Sequence, residues 1–251
     1  MNRRTFSKTL LETVSSYALL RTLAGRDAFG AAVRPLTDGW LHRLDALSRD
    51  LKTGAVTPRQ WQDQLADLFD RLPLGDLLGT LDFDRLAAGF AYPERGVHTR
   101  PVRFPRLEGL PETLAFHSKI FGMRQDRAII PHGHRNMASC HYVLKGALRL
   151  RHYQKRAEDA THMVIEPTVD ERALPGSHSS ISDDHHNIHW LRAETRVAFT
   201  FDVIVLDLGG ARWEVDNIDP YDAEPLPGGL LRARKLRVED ALRKYGHDTH
   251  H

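Results

Sequence analysis

Between Leu114 and Leu208 the chain is a succession of short β-rich runs separated by turn residues, and this pattern restricts its fold more than any other feature. The runs are Leu114 to Phe121, Arg127 to Pro131, Ser139 to Lys145, Ala147 to Gln154, His162 to Glu166 and Val197 to Leu208. Strands this short cannot bury an apolar face singly, so they close together into a sandwich or barrel. The last run is dense in β-branched and aromatic residues and reads as a buried strand. No glycine-rich phosphate loop follows a strand, and strands do not alternate with helices, which argues against a nucleotide-binding α/β fold.

Upstream the apolar period changes. Trp40, Leu41, Leu44, Leu47 and Leu51 recur at helical spacing, with Gly54 as a stop. A second helix has a clear start: Thr57 can cap it, Pro58 suits the first turn and Gln60 completes a capping box. Trp61, Leu65, Leu68 and Phe69 then face one way, and a third helix is expected near Leu77 to Ala88. These stripes carry no chemistry and read as packing surfaces against the barrel. From Tyr92 to Pro111, prolines and glycines mark a long loop.

At the N-terminus, Arg3-Arg4-Thr5-Phe6-Ser7-Lys8 resembles the twin-arginine export signature. It is followed by an apolar stretch to Leu23 and by small residues in Ala28-Phe29-Gly30. The stretch is too short and too polar to span a membrane permanently. Residues 1–30 are therefore expected to be an export signal read by the twin-arginine translocase, giving a periplasmic protein. The alternative is an amphipathic first helix of a cytoplasmic one. Residues 31–100 form the helical segment and linker, 101–215 the barrel, and 216–251 a C-terminal extension.

Charge narrows the function classes. The formal net charge is only +2, so nothing points to nucleic acid or an anionic membrane surface. The single cysteine, Cys140, excludes an intramolecular disulfide and a cysteine-rich zinc site. Fifteen histidines direct attention to their spacing. His132 and His134 stand two apart on a strand and so present both imidazoles to one point. A second cluster, His185-His186-Asn187-Ile188-His189, lies just before the long buried strand. By distance along the chain, either His186 or His189 can complete a metal site.

These segments resemble the two cupin motifs, in which a paired histidine strand is followed by a glutamate and a glycine, and a later histidine closes the site. Gly146 falls on the motif glycine, and Ser139 stands where the glutamate is usual. Pro131-His132-Gly133-His134 and Asn187-Ile188-His189 are similar to the ligand segments of the three-histidine thiol dioxygenases, which include cysteine and cysteamine dioxygenases and plant cysteine oxidases. The resemblance runs from near Leu114 to Leu208. It implies a mainly β fold, a cupin double-stranded β-helix, with the α-helical segment added at its N-terminus. It also implies one Fe(II) held by His132, His134 and His189, other divalent metals being allowed, with a thiol and dioxygen as substrates and a sulfinate as product. The chain departs from the pattern in two places. Cys140 is offset by one residue from the cysteine that some members crosslink, and Leu208-Gly209-Gly210 replaces a Pro-Pro-Tyr ending.

Asp202 and Tyr153 are the candidates for catalytic roles beyond the ligands. A carboxylate in the apolar run Ala198 to Ile204 needs a partner, either a ligand histidine, a substrate or a structural hydrogen bond. Tyr153 and Arg151 share one face of their strand, either toward the substrate or on the barrel exterior. His141 and His185 read as surface or packing residues, and His247, His250 and His251 as a polar tail. A cupin oxygenase acting on a non-thiol substrate, or a non-catalytic small-molecule-binding cupin, is the alternative reading.

Overall fold

The computed structural model describes residues 35–104 and 106–247. The twin-arginine-like segment, His250 and His251 lie outside the described residues.

The helical segment opens with α1 (Pro35–Thr53) and α2 (Pro58–Asp70). The capping box forms at α2: the Gln60 amide donates to Thr57 Oγ1 at 3.2 Å, and the Thr57 amide donates to Gln60 Oε1 at 2.8 Å. The third expected helix is two shorter ones, α3 (Leu74–Leu81) and α4 (Phe83–Ala87), broken at Asp82, whose φ of 49° is left-handed. Trp61 and Leu65 are fully buried, each contributing about 1.5–3 kcal/mol relative to an exposed position. With the α1 stripe they pack against Cys140, Tyr142, Phe201 and Val203. The helices thus cover the outer face of one sheet.

That sheet is formed from β1 (His98–Pro101), β2 (His117–Arg124), β4 (Met137–Lys145), β7 (His178–Ile181) and β9 (Val197–Leu206), in the order β1-β2-β9-β4-β7. Facing it are β3 (Ala128–Arg135), β5 (Leu148–Glu158), β6 (His162–Ala173) and β8 (Ile188–Ala193), in the order β3-β8-β5-β6. All pairings are antiparallel. Neighbours drawn from distant parts of the chain in both sheets make this a jelly roll. The fold is mainly β, a jelly-roll barrel of the double-stranded β-helix type with an N-terminal α-helical segment. Phe121, Met123, Ile129, Val143, Leu150 and Leu191 fill one end of the space between the sheets. Gly146, in the turn from β4 to β5, has φ +78°, and a Cβ there would lie 2.3 Å from the Val197 carbonyl oxygen, so only glycine fits.

The C-terminal region is not a separate extension. β10 (Glu214–Leu226) begins by pairing with β3, and β11 (Leu230–Leu236) pairs with β6, so this hairpin closes the ring β10-β11-β6-β5-β8-β3. Beneath it a second small core forms on the outer face of the sheet from Tyr153, Met163, Ile165, Ile188, Ile218 and Ala233. Helix α5 (Val238–Tyr245) packs Ala241 and Tyr245 against Ile130 and Trp190. Among the described residues no helix is long and apolar enough to cross a membrane.

Candidate metal centre

The pairing of β3 with β8 slips just before the paired histidines. Ile129 pairs with Leu191 and His132 with His189, leaving one more residue on β3 than on β8. Pro131, which has no N–H to give a ladder, sits in this bulge. The bulge re-aims the strand, and the Ile130 carbonyl accepts a 2.7 Å hydrogen bond from His132 Nδ1. A carbonyl only accepts, so His132 carries its proton on Nδ1 and presents Nε2 as a bare lone pair.

His189 is set from the opposite sheet. Asp202 Oδ1 accepts from Thr200 Oγ1 at 2.6 Å, and Asp202 Oδ2 lies against His141 Nδ1. The carboxylate holds the proton on His141 Nδ1, leaving His141 Nε2 as acceptor for His189 Nδ1 at 2.7 Å. His189 Nε2 stands 2.9 Å from His132 Nε2, close enough for one proton or one cation to bridge them. A metal ion bound by both nitrogens takes the place of that proton.

His134 supplies the third ring, its centroid 4.9 Å from that of His132 and 5.0 Å from that of His189. One nitrogen from each of the three residues lies within 4.8 Å of the others. Burial is the main cause that pushes these imidazoles toward their neutral form: His132 falls to about 4, and His134 and His189 fall well below the ordinary value. Neutral imidazoles are what a divalent ion requires, so the residues present fit a metal. No carboxylate belongs to the group. Ser139, at the usual glutamate position, is buried, and its Oγ has no hydrogen-bond partner.

The group opens onto a cavity of about 80 Å³ walled by Phe121, Ile129, Met137, Ile204, Trp213 and Val215, with Ser139 and Asn217 among its polar members. Asn217 is the register partner of His132 on β10, so the C-terminal hairpin contributes to the site.

The expected residues separate. His132, His134 and His189 come together. Asp202 reaches this group only through His141. Tyr153 lies elsewhere, in the core beneath the hairpin, because on β5 it is His152 that shares the inner face with its partner His189. Arg151 shares the outer face with Tyr153 and lays its guanidinium over Trp190, 4.4 Å from the ring centroid. His186 lies outside the group, with Nδ1 2.9 Å from Thr168 Oγ1 and its ring tilted by 43° against that of His185. His247 is exposed and contacts Arg127. Cys140 points into the core beneath the helices. The residue that sequence reading missed is His141, which is 4% exposed rather than at the surface. Its parity with Ser139, two residues earlier on the same strand, was the available signal.

No protein-family model matches the chain, and no curated protein matches it. Solved structures similar in part include KdgF from Halomonas sp., 18% identical over 44% of this chain and 81% of that one, with a TM-score of 0.31. An RmlC-like cupin protein from Desulfovibrio desulfuricans is 14% identical over 47% of this chain and 91% of that one, with a TM-score of 0.33. Procruciferin, the 11S globulin of Brassica napus, is 15% identical over 41% of this chain, with a TM-score of 0.31, and the match takes in only 23% of the globulin.

Proposed function

We propose that this protein is a metal-dependent oxygenase that holds one ferrous ion through His132, His134 and His189 and adds dioxygen to a thiol to give a sulfinate. The observation that carries the reading is the convergence of His132 Nε2 and His189 Nε2, 2.9 Å apart, beside a third imidazole with no carboxylate in the group. When bound, a ferrous ion with three neutral ligands keeps its double charge and open positions, which lowers a thiol's pKa and activates dioxygen.

The chain's own residues prepare this chemistry. The Ile130 carbonyl fixes the His132 tautomer, and the line Thr200, Asp202 and His141 fixes that of His189. Ser139 adds no negative charge where a glutamate would, and the apolar walls keep water from the reacting sulfur. The overall conversion balances without a further reductant. A thiolate and dioxygen give a sulfinate, two S–O bonds form, the O–O bond breaks, and sulfur loses the four electrons that dioxygen gains. The paired arginines at the N-terminus support export of the folded, metal-loaded protein to the periplasm.

Isotope labelling tests the reading. Under ¹⁸O₂, a thiol substrate is expected to yield sulfinate carrying two labelled oxygens. Incorporation of one labelled atom, or release of hydrogen peroxide with disulfide as the only sulfur product, would count against it. Iron-dependent oxygen uptake with a substrate lacking sulfur would instead favour a non-thiol oxygenase.

A further inference from the structure

The walls of the cavity at the three imidazoles form an apolar surface. Met137, Ile204, Trp213 and Val215 belong to one hydrophobic cluster, and Phe121 and Ile129 face it. Among the described residues that line the cavity, none is a lysine or an arginine. The one carboxylate, Asp202, is engaged by Thr200 and His141. Lys119, the register partner of Asp202, is buried beside it and does not line the cavity. The polar groups left for an occupant are uncharged: Asn217, half-buried on β10, and Ser139, 2% exposed with an unpartnered Oγ.

We infer that the occupant is a small, uncharged thiol with an apolar body and a single hydrogen-bonding group, an inference that rests on the oxygenase reading of the same site. A carboxylate or ammonium group brought between these walls loses its hydration and finds no opposite charge on the protein, and the charge of a bound metal ion is taken up by the thiolate itself, so charged thiols are disfavoured. The Ser139 hydroxyl meets one neutral polar group of the occupant and thereby satisfies its own buried oxygen. Size agrees: a cavity of about 80 Å³ is smaller than the roughly 150 Å³ that accommodates benzene.

The test measures binding apart from turnover. Zinc-loaded protein, which is redox-silent, is titrated calorimetrically at pH 7 with 1-propanethiol, 2-mercaptoethanol, cysteamine, 3-mercaptopropionate and cysteine. The two uncharged thiols are expected to bind at least about tenfold more tightly than the other three. In Val215→Arg, whose half-buried position accommodates a long side chain, 3-mercaptopropionate is expected to gain about tenfold relative to 1-propanethiol. Equal or tighter binding of the charged thiols by the unaltered protein overturns the inference, as does binding of no thiol at all. Oxygen uptake by the ferrous protein separates the two claims. Tight binding of neutral thiols without uptake sustains the cavity inference and sinks the oxygenase reading. Uptake that is fastest with cysteine sustains the oxygenase reading and overturns the cavity inference.

Discussion

His132 Nε2 and His189 Nε2 stand 2.9 Å apart while the Nδ1 atom of each is committed elsewhere, one to the Ile130 carbonyl and the other to His141. The two rings come from adjacent strands, β3 and β8, and each is held by a different sheet's backbone or side chains. Two Nε2 atoms that face one another while each Nδ1 is engaged are arranged to share a cation.

The Asp202–His141 pair acts on the metal from a distance. Asp202→Asn leaves the strand packing intact but loosens the hold on the His141 tautomer, and with it the orientation of His189. Metal affinity is expected to fall about tenfold to a hundredfold. Competition with a chelator measures this, with circular dichroism showing an unchanged fold. An affinity unaltered by the substitution would show that the line to His189 is only structural.

Tyr153 packs with Ile188 and Ile218 beneath the C-terminal hairpin, and burial raises its phenol to about 12. Tyr153→Ala is expected to cost about 3–5 kcal/mol of stability, read from urea unfolding. Tyr153→Phe keeps the packing and is expected to leave metal content unchanged. Loss of metal in Tyr153→Phe would contradict this placement.

Gly146 admits no side chain, because its φ is +78° and a Cβ would meet Thr195 Oγ1 at 2.6 Å as well as the Val197 carbonyl. Gly146→Ala is expected to destabilise the protein by more than about 1 kcal/mol, from the unfavourable φ alone and further from the clash. Thermal unfolding of metal-free protein reads this without the added stability of a bound ion.

Acid should loosen the hairpin first. Burial raises the Glu158 carboxyl, but hydrogen bonds from Lys155 and Lys235 and the charge of Arg135 outweigh it and lower the group from 4.5 to about 2. The folded value lies below the unfolded one. The stabilisation is therefore fully present above about pH 4.5 and is lost as pH falls toward about 2. Lys235 lies on β11 and Arg135 on β3, so Glu158 ties the strands on both sides of β10. Glu158→Gln is expected to flatten the loss of stability between pH 5 and pH 3, measured by urea titration. An unchanged slope would show that the ion pairs are screened at the surface.

Much of this was legible from local pattern. The two-residue spacing of His132 and His134 put both on one face, and the capping residues of α2 marked its start to the residue. Strand parity sets Cys140 on the face opposite Ser139 and His141, but parity yields two faces without saying which is inner. That is why Tyr153 was open in the sequence and His141 was passed over. Both are decided by cross-strand partners, His189 for His152 and Asp202 for His141, that lie far along the chain. The hairpin was hidden for another reason. Pro220, Pro225 and the register shift between Asp219 and Glu224 interrupt its alternation, and its partners on β3 and β6 are distant in sequence. The cavity residue Asn217 was lost with it.

The most direct measurement is the metal content of anaerobically purified protein, unaltered and as His134→Ala, with circular dichroism of both. The account predicts near one iron per chain in the unaltered protein and near none in the variant, with the fold retained. Metal content unchanged by His134→Ala would contradict it.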